Sequence, residues 1–349
     1  MNLKKRLRDY GLKVGKMSTG PKNTITDVKG VMVGHTTLSN NSVQTGVTAI
    51  IPHTGNIFLE KYIGATHVIN GFGKTIGTIQ IDELGTIETP ILLTNTLSIG
   101  TCADSLLKYM IDSNKEIGRI TGTVNPIVCE CNDMFLNDIR SFSVTNEHVL
   151  DALQNASETF EEGSVGAGTG MRCFGLKGGI GSSSRTFEIH SNTYTLGVLV
   201  LTNYGKLSDF TFLGTPLGER LMPLIPSKVE SDKGSIIMVV ATDLPVSDRQ
   251  LKRILKRTSV GLSKTGSFIG NGSGDIAIGF STANTIPHFS KSGLQALSQL
   301  HEDEIDQSFI AVAEATEEAI LNSLLSANTT IGRDGNTLYS LRDYIDQLI

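Results

Sequence analysis

Short apolar runs, each about the length of a β-strand, recur along this 349-residue chain and are separated by glycines and polar turns. Runs of this length that are rich in β-branched residues are typical of buried strands. Several of them are apolar on both faces, which indicates sheets that are covered on both sides. The runs predict strands at Asn23–Val28, Gly30–Thr36, Gly46–Ile51, Ala65–Gly71, Pro90–Thr96, Ile127–Asp133, Phe187–Ile189, Thr195–Gly205, Ile236–Ala241 and Ile276–Thr282.

Segments with helical spacing of apolar residues lie between these strands. They predict helices over 99–111, 145–159, 247–262 and 305–324. The third begins at a Ser-Asp-Arg-Gln capping box. Alternating strands and helices favour a layered α/β sandwich, in which sheet packs on sheet with helices outside. We expect one domain over residues 1–349, whose first 22 residues form a basic, loosely structured arm.

A long irregular segment precedes one of the predicted strands. Gly214–Lys233 contains three prolines and several charged residues, and it ends at a Gly-Ser step directly before six consecutive apolar residues. Loops of more than about 12–15 residues without structure are usually functional or disordered. An ordinary junction between a loop and a strand would show the same Gly-Ser step, so this stretch alone leaves its role open.

Cleavage between Gly234 and Ser235 would give that step a chemical role. Ser235 would then be a new N-terminus that carries both a nucleophilic hydroxyl and a free α-amine. An α-amine has a pKa of about 7.7–8.0, so it can accept a proton near neutral pH. The hypothesis is an N-terminal nucleophile hydrolase.

Composition gives no reason to expect nucleic acid or a membrane as partner. The net charge is −5 with a pI near 5.8, and no apolar run approaches the ~18 residues of a membrane span. The basic N-terminus lacks the apolar region of a signal peptide, which predicts a cytoplasmic protein.

Common cofactor and nucleophile motifs are missing from the sequence. The glycine-rich passage at Gly166–Gly170 has neither the dinucleotide-binding spacing nor a following Gly-Lys-Ser/Thr. The four cysteines fit no zinc pattern, and the seven histidines form no closely spaced pair. No G-x-S-x-G motif is present. We therefore expect no metal and no cofactor, and free cysteines packed as small apolar residues.

Small polar residues at strand ends remain as candidates for chemistry. Ser273 and Asp275 precede an apolar strand two residues apart, and residues i and i+2 of a strand share a face. Glu130 and Asn132 have the same relation at the end of another strand, and Asn203 ends a third. An Asn amide can donate to an oxyanion, and a Glu can hold a substrate ammonium. Taken singly, each is more often a turn residue than a catalytic one.

Taken together, these segments resemble the DmpA/BapA-type aminopeptidases, the family of L-aminopeptidase/D-esterase and β-peptidyl aminopeptidases. The resemblance covers nearly the whole chain, from about residue 8 to 342. The helix at Glu314–Ala319 also matches. The ordered stretches that carry the resemblance are Asn23–Thr37, Val165–Arg185, Gly197–Gly205, Gly234–Pro245 and Gly270–Asn284.

The resemblance implies a four-layer αββα sandwich of the DmpA/ornithine-acetyltransferase type. It implies autocleavage into residues 1–234 and 235–349, with Ser235 as the N-terminal nucleophile. It also implies a peptide, amide or ester substrate and a homo-oligomer, often a tetramer, of αβ units. The implied supporting residues are Ser273 and Asp275 as partners of the nucleophile, Asn203 as oxyanion donor and Glu130 as binding residue for the substrate amine.

One position departs from the family pattern. Relatives often carry an aromatic residue that contributes to the oxyanion site where this chain has Asn132, with Phe135 nearby. Asn132 could donate from a shorter arm, or the pocket could differ in size. Two other functions stay open: an acyltransferase like the ornithine acetyltransferases, which favour a Thr nucleophile, and a relative without processing that acts as a binding protein.

Overall fold

The computed structural model describes residues 6–225, 234–290 and 292–345. The strands are β1 Met32–Asn40, β2 Val43–Ile51, β3 Glu60–Gly71, β4 Thr86–Ile87, β5 Ile91–Asn95, β6 Ile127–Cys131, β7 Arg172–Cys173, β8 Leu176–Lys177, β9 Gly179–Ile189, β10 Asn192–Asn203, β11 Ser235–Thr242, β12 Gly274–Pro287, β13 Thr330–Ile331 and β14 Thr337–Leu338. The helices are α1 Thr78–Leu84, α2 Ile99–Ser113, α3 Asn146–Gln154, α4 Leu217–Leu221, α5 Asp248–Leu255, α6 Thr258–Lys264, α7 Asp306–Leu325 and α8 Arg342–Ile345. Among the helices described, none is long and apolar enough to cross a membrane.

Two sheets form the centre of the molecule. The first has the strand order β1-β2-β5-β6, and the second has the order β4-β3-β12-β11-β10-β9. Helices α2 and α3 cover the outer face of the first sheet, while α5 and α7 cover the second. Apolar side chains of both sheets meet in one shared core. The predicted αββα sandwich is confirmed.

Strand β11 lies in the middle of the second sheet and shows why its sequence is apolar throughout. It runs parallel to β12 on one side and antiparallel to β10 on the other. Ile236, Met238 and Val240 face the helical layer, whereas Ile237 and Val239 face the other sheet. Because successive strand residues point to opposite faces, a strand buried on both sides requires an unbroken apolar run.

The N-terminal segment differs from its prediction. Residues 6–22 pack against α7 instead of forming a loose arm: Leu7 is fully buried, and its amide donates to Asn322 Oδ1 at 2.9 Å. Arg8 forms an ion pair with Glu318, with 2.7 Å between Nε and Oε1. The basic side chains predict a solvated segment because their carboxylate partners, Glu162 for Arg6, Glu158 for Lys22 and Glu318 for Arg8, lie more than a hundred residues later in the chain.

The strand predicted at Asn23–Val28 is also wrong. The segment forms a single 3-10 turn over Ile25–Asp27, closed by the Asp27 carboxylate, which accepts from the Thr24 amide at 3.1 Å. Its apolar residues are buried because the turn packs on β9 and β10, which gives the segment a strand-like pattern without strand pairing.

A glycine- and serine-rich stretch that no pattern marked as a strand forms most of β9. Gly181 shows the reason for its composition: a Cβ at this position would lie 2.0 Å from the carbonyl oxygen of Ala319 in α7. The small residues of β9 let α7 approach the sheet closely. Because they are not β-branched, they lack the composition by which strands are recognised in a sequence.

Two predicted helix boundaries and one loop need correction. The helix after Thr145 stops at Gln154 instead of Thr159, and the helix predicted over 247–262 is divided into α5 and α6. The segment Gly214–Lys233 contains the short helix α4 and is therefore not irregular throughout. Its residues 226–233 lie outside the described part of the chain.

Candidate active site

Ser235 is the first residue of β11, at the edge where the central strands of the second sheet begin or end. In the strand register it lies between Asn203, the last residue of β10, and Gly274, the first of β12. Ser235 is only 6% exposed. The sheet therefore holds the hydroxyl between two fixed strand ends.

Gly234 fits its position because it has no side chain. A Cβ here would lie 1.8 Å from the carbonyl oxygen of Asn203 and 2.5 Å from Cα of Tyr204. These are backbone atoms of β10 and its continuation, which cannot move aside without disturbing the sheet. Any larger residue would displace the peptide bond between residues 234 and 235.

The backbone amide of Gly274 contacts both sides of that peptide bond. Its N–H lies 3.1 Å from Ser235 Oγ and 3.3 Å from the carbonyl oxygen of Gly234. A donor at the carbonyl oxygen stabilises negative charge that develops when a nucleophile attacks the carbonyl carbon. The hydroxyl, the carbonyl and the donor are thus assembled within one strand register.

Ser273 and Asp275 flank this amide and contact each other. The Ser273 hydroxyl donates to Asp275 Oδ1 at 2.6 Å, and both residues are nearly fully buried. The preceding loop is anchored by Asn70, whose amide donates to the carbonyls of Gly270 and Asn271 at 3.2 Å each. The structure brings the two predicted residues together beside Ser235.

Asn203 is held from both sides. Its Oδ1 accepts from the Arg172 amide at 2.9 Å, and its Nδ2 donates to the Asn132 carbonyl at 3.0 Å. These two bonds fix the orientation of the side-chain amide, with Oδ1 toward Arg172 and Nδ2 toward Asn132. Asn203 itself lies on β10, opposite Ser235 in the strand register.

Glu130 lies buried at the end of β6, in the opposite sheet. Its Oε1 accepts from the Lys74 amide at 2.8 Å, and its Oε2 accepts from the Thr96 hydroxyl. Both bonds use neutral donors, so the carboxylate is oriented without being neutralised by a cation in these contacts.

The side chain of Asn132 folds back on its own loop. Its Oδ1 accepts from the Met134 amide at 3.0 Å, which is a local turn interaction. Its backbone carbonyl, not its side chain, contacts Asn203. The residue thus connects the Glu130 strand to the Asn203 amide.

A cavity of about 500 Å³ lies at this strand edge. Asn132 and Asn203 contribute to its wall, as do two arginines and several apolar residues that no sequence pattern marked as functional. The described residues that line it are Phe72, Asn132, Met134, Phe135, Arg172, Asn203, Asn271, Gly272 and Arg333.

Comparison with known proteins decides the family. The model of Peptidase family S58 matches residues 23–338. The beta-peptidyl aminopeptidase BapA of Sphingosinicella microcystinivorans is 38% identical over 96% of this chain and 89% of its own length. The chain belongs to peptidase family S58.

Solved structures of similar proteins agree with this family. The PH0078 protein from Pyrococcus horikoshii OT3 is 50% identical, with a TM-score of 0.95 over 99% of this chain and 98% of that one. The L-aminopeptidase D-Ala-esterase/amidase from Ochrobactrum anthropi, described as a variant of the Ntn hydrolase fold, is 34% identical, with a TM-score of 0.89 over 98% of both chains. The predicted DmpA/BapA-type resemblance is confirmed, and this S58 chain is an enzyme of the aminopeptidase/amidase type.

Two fully buried ionisable residues, Lys177 and Asp133, lie near each other in this S58 chain. Lys177 Nζ donates to the carbonyls of Gly168 and Gly178 at 2.8 and 2.7 Å. Burial lowers the pKa of Lys177 to about 7, while the nearby Asp133 opposes that shift. Burial likewise raises the pKa of Asp133 to about 7. No sequence pattern indicates this pair, because its members are brought together only by the fold.

The cysteines of this S58 chain are structural. All four are buried and free, and burial raises the pKa of Cys102 and Cys129 to about 12. A thiol with so high a pKa has almost no thiolate at neutral pH, so it is a poor nucleophile. Within residues 6–225, 234–290 and 292–345, no cluster of His, Cys, Asp and Glu has the geometry to hold a metal.

Proposed function

We propose that the chain cleaves itself between Gly234 and Ser235, into residues 1–234 and 235–349, and then uses Ser235 to release the N-terminal residue of peptides, amides or esters. The observation that carries the proposal is the Gly274 amide, which contacts both the Gly234 carbonyl oxygen and Ser235 Oγ. The similarity to BapA and to the Ochrobactrum enzyme supports the substrate class.

Self-cleavage would proceed through an ester. Ser235 Oγ attacks the carbonyl carbon of Gly234, the Oγ–C bond forms, and the C–N bond between the two residues breaks. The hydroxyl proton is transferred to the departing amine. Water then hydrolyses the ester, which leaves a carboxylate on Gly234 and a free hydroxyl and α-amine on Ser235. The Gly274 N–H stabilises the oxyanion in the first step.

Substrate hydrolysis would repeat this chemistry on an external carbonyl. The α-amine of Ser235, with a pKa of about 7.7–8.0 for such groups, accepts the hydroxyl proton during attack. Asn203 donates to the oxyanion, the Ser273–Asp275 pair orients the nucleophile, and Glu130 binds the substrate ammonium. The leaving amine takes the proton, and water releases the acyl group from Ser235.

A panel of α- and β-aminoacyl p-nitroanilides tests this function. The wild-type protein should release p-nitroaniline, whereas Ser235→Ala should remain one chain and release none above background. Ser263→Ala, a matched change at an exposed serine of α6, should keep the wild-type rate. Hydrolysis by Ser235→Ala at the wild-type rate would contradict the proposal. The panel also shows which acyl groups are preferred.

We further propose a homo-oligomer of αβ units, a tetramer by the family resemblance, in the cytoplasm. Three large apolar side chains after β12, Phe289, Leu294 and Leu297, are between 47% and 89% exposed, which supports an interface between subunits. Buried free cysteines fit a reducing compartment. Light scattering coupled to gel filtration gives the mass: about four times that of the chain supports the tetramer, and a monomer mass contradicts it.

A further inference from the structure

The cavity at the strand edge of Ser235 has large apolar side chains in its wall. Phe72 and Met134 line it and are 61% and 52% exposed, and Phe135 lines it as well. Met134 and Phe135 belong to the loop after β6, residues 132–137, which we call the wall loop. Large apolar side chains left exposed around a cavity are typical of a surface that binds an apolar group.

Glu130, the proposed site for the substrate ammonium, adjoins this wall. Its Oε1 lies 3.5 Å from the point where a Cβ on Gly73 would lie, and Cα of Gly274 lies 3.8 Å from the same point. Gly73 follows Phe72 in the chain, and Asn132 follows Glu130 by two residues; Phe72 and Asn132 both line the cavity. A substrate residue with its ammonium at Glu130 and its carbonyl at the Gly274 amide therefore has the cavity beside its side chain.

Three successive backbone carbonyls of the wall loop accept hydrogen bonds from one segment near the C-terminus. Arg333 donates from Nε to the Met134 carbonyl at 2.6 Å and from its backbone amide to the Leu136 carbonyl at 2.8 Å. Asn336 Nδ2 donates to the carbonyl between them, that of Phe135, at 2.9 Å. This segment therefore fixes the backbone that carries two of the lining side chains.

The donor segment is the tip of the hairpin β13–β14, and it is held close to the wall loop. A Cβ on Gly332 would lie 2.1 Å from the Leu136 carbonyl oxygen, so the tip approaches the loop as only a glycine allows. The base of the hairpin is anchored, because Leu338 is buried and the Ser340 hydroxyl donates to the Ala327 carbonyl at 2.8 Å. A short hairpin with a fixed base and a tip in backbone contact can hold the loop in one position.

We propose that Arg333 and Asn336 are positioning residues, which hold the wall loop where its side chains contact the side chain of the substrate's N-terminal residue. The preferred substrates then carry a large apolar side chain at that residue. This inference rests on the proposed function. After the proposed cleavage, the hairpin belongs to the smaller chain and the wall loop to the larger one, so the smaller chain also shapes the cavity wall.

The test compares phenylalanyl and alanyl p-nitroanilides, or their β-homologues, which share the leaving group and differ in the side chain that reaches the wall. The wild-type enzyme should have a kcat/KM roughly 10-fold or more higher for the phenylalanyl compound, because its ring is buried on binding. Asn336→Ala removes one donor and should lower this preference by roughly 3- to 10-fold. The loss should appear chiefly in KM, because the wall contacts the ground state and the transition state alike.

Two further variants make the result specific. Gly332→Ala acts by a different route, since its methyl group displaces the hairpin tip from the Leu136 carbonyl, and it should lower the same preference. Asn192→Ala, a matched change at the exposed start of β10, should keep the wild-type preference. Asn336→Ala removes only one part-buried hydrogen bond, so it decides the question if Gly332→Ala does not fold.

Three kinetic results would overturn the inference. The first is a wild-type preference for the alanyl compound. The second is an equal reduction of kcat/KM for both compounds in Asn336→Ala, which would indicate a general loss of structure. The third is an unchanged preference in Asn336→Ala.

A binding measurement separates this inference from the proposed function. If the wild-type protein hydrolyses neither compound, the proposed function fails, and calorimetry with phenylalaninamide and alaninamide still tests the wall. Tighter binding of phenylalaninamide that is weakened in Asn336→Ala supports the positioning role. Equal affinities for the two amides, no binding of either, or an unchanged affinity in Asn336→Ala would refute it.

Discussion

Two buried polar clusters lie on either side of the second sheet. They differ in the kind of side chain that forms them. The first joins Arg185 of β9 to Glu314 and Glu318 of α7, with Nε–Oε2 and Nη2–Oε2 distances of 3.0 and 2.8 Å. The second, around Ser235, consists of small residues with neutral donors and lies beside the cavity. The charged groups of the first cluster are paired with one another within the protein. The second cluster lies next to a cavity in which a ligand can bind.

The ionic cluster is closed by the N-terminal segment. Burial by itself would raise the pKa of Glu318, but hydrogen bonds from Arg8 and Asn23 and the charge of Arg185 lower it below its ordinary value. A carboxylate held in this way favours the folded state above its unfolded pKa and loses that contribution as the pH falls. The cluster thus acts in folding, and its carboxylates have no access to a substrate.

The largest expected effect is on the ionic cluster. Arg185→Met leaves Glu314 buried without its cation and leaves Glu318 with Arg8 alone, which should lower the free energy of unfolding by about 3–5 kcal/mol. Thermal and urea unfolding should show the decrease, while the folded fraction keeps its specific activity. Arg119→Met, at an exposed site, is the control. An unchanged unfolding midpoint in Arg185→Met would show that the ion pairs carry no net stability.

The second expected effect is on the site cluster. Asn203→Ala removes the proposed oxyanion donor and should lower kcat by roughly 10²–10³-fold. The unfolding midpoint should fall less than in Arg185→Met, because the substitution removes two part-buried hydrogen bonds but leaves no buried charge without its partner. Asn192→Ala, at the exposed opposite end of β10, is the control and should keep the wild-type kcat. A wild-type kcat in Asn203→Ala would show that Asn203 does not donate to the oxyanion.

The smallest expected effect concerns Lys177, which is buried like Arg185 but has carbonyl partners. Its pKa is lowered from 10.5 to about 7, so between these values the unfolded chain binds a proton that the folded chain does not. Stability should therefore rise with pH through this window, by up to about 1.4 kcal/mol per pH unit. Lys177→Met should lack this rise.

Urea midpoints at pH 7.5 and 9.5 measure the effect of Lys177. Relative to Lys177→Met, the wild-type protein should be more stable at pH 9.5 than it is at pH 7.5. Lys29→Met, at an exposed lysine, should follow the wild-type curve. Parallel curves for the wild type and Lys177→Met would mean that Lys177 keeps an ordinary pKa in the folded state.

The sequence predicts best where burial dictates residue type. Strand β11 has apolar neighbours on both faces, and its six apolar residues indicate this directly. Most of strand β9 escapes prediction because Gly181 and the neighbouring serines fit the close approach of α7 instead of following strand propensity. The turn at Ile25–Asp27 has the burial of a strand, so its pattern predicts one wrongly.

Some residues of the candidate site can likewise be predicted from the sequence, and others cannot. The spacing of Ser273 and Asp275 predicts a shared face, and their side chains lie 2.6 Å apart between Oγ and Oδ1. Their catalytic roles stay a prediction. Arg172 and Lys177 carry no local signal, since the Phe135 ring beside Arg172 and the Asp133 carboxylate near Lys177 come from a different part of the chain. A sequence pattern therefore finds residues that act through neighbours in one strand, and misses those that act across the fold.

The proposal that Ser235 becomes an N-terminus can be checked by intact mass analysis of the purified protein together with N-terminal sequencing. We expect two chains, residues 1–234 and 235–349, the smaller beginning Ser-Ile-Ile-Met. Ser235→Ala should give one chain of 349 residues. A wild-type protein that stays intact and still hydrolyses aminoacyl p-nitroanilides would contradict this claim.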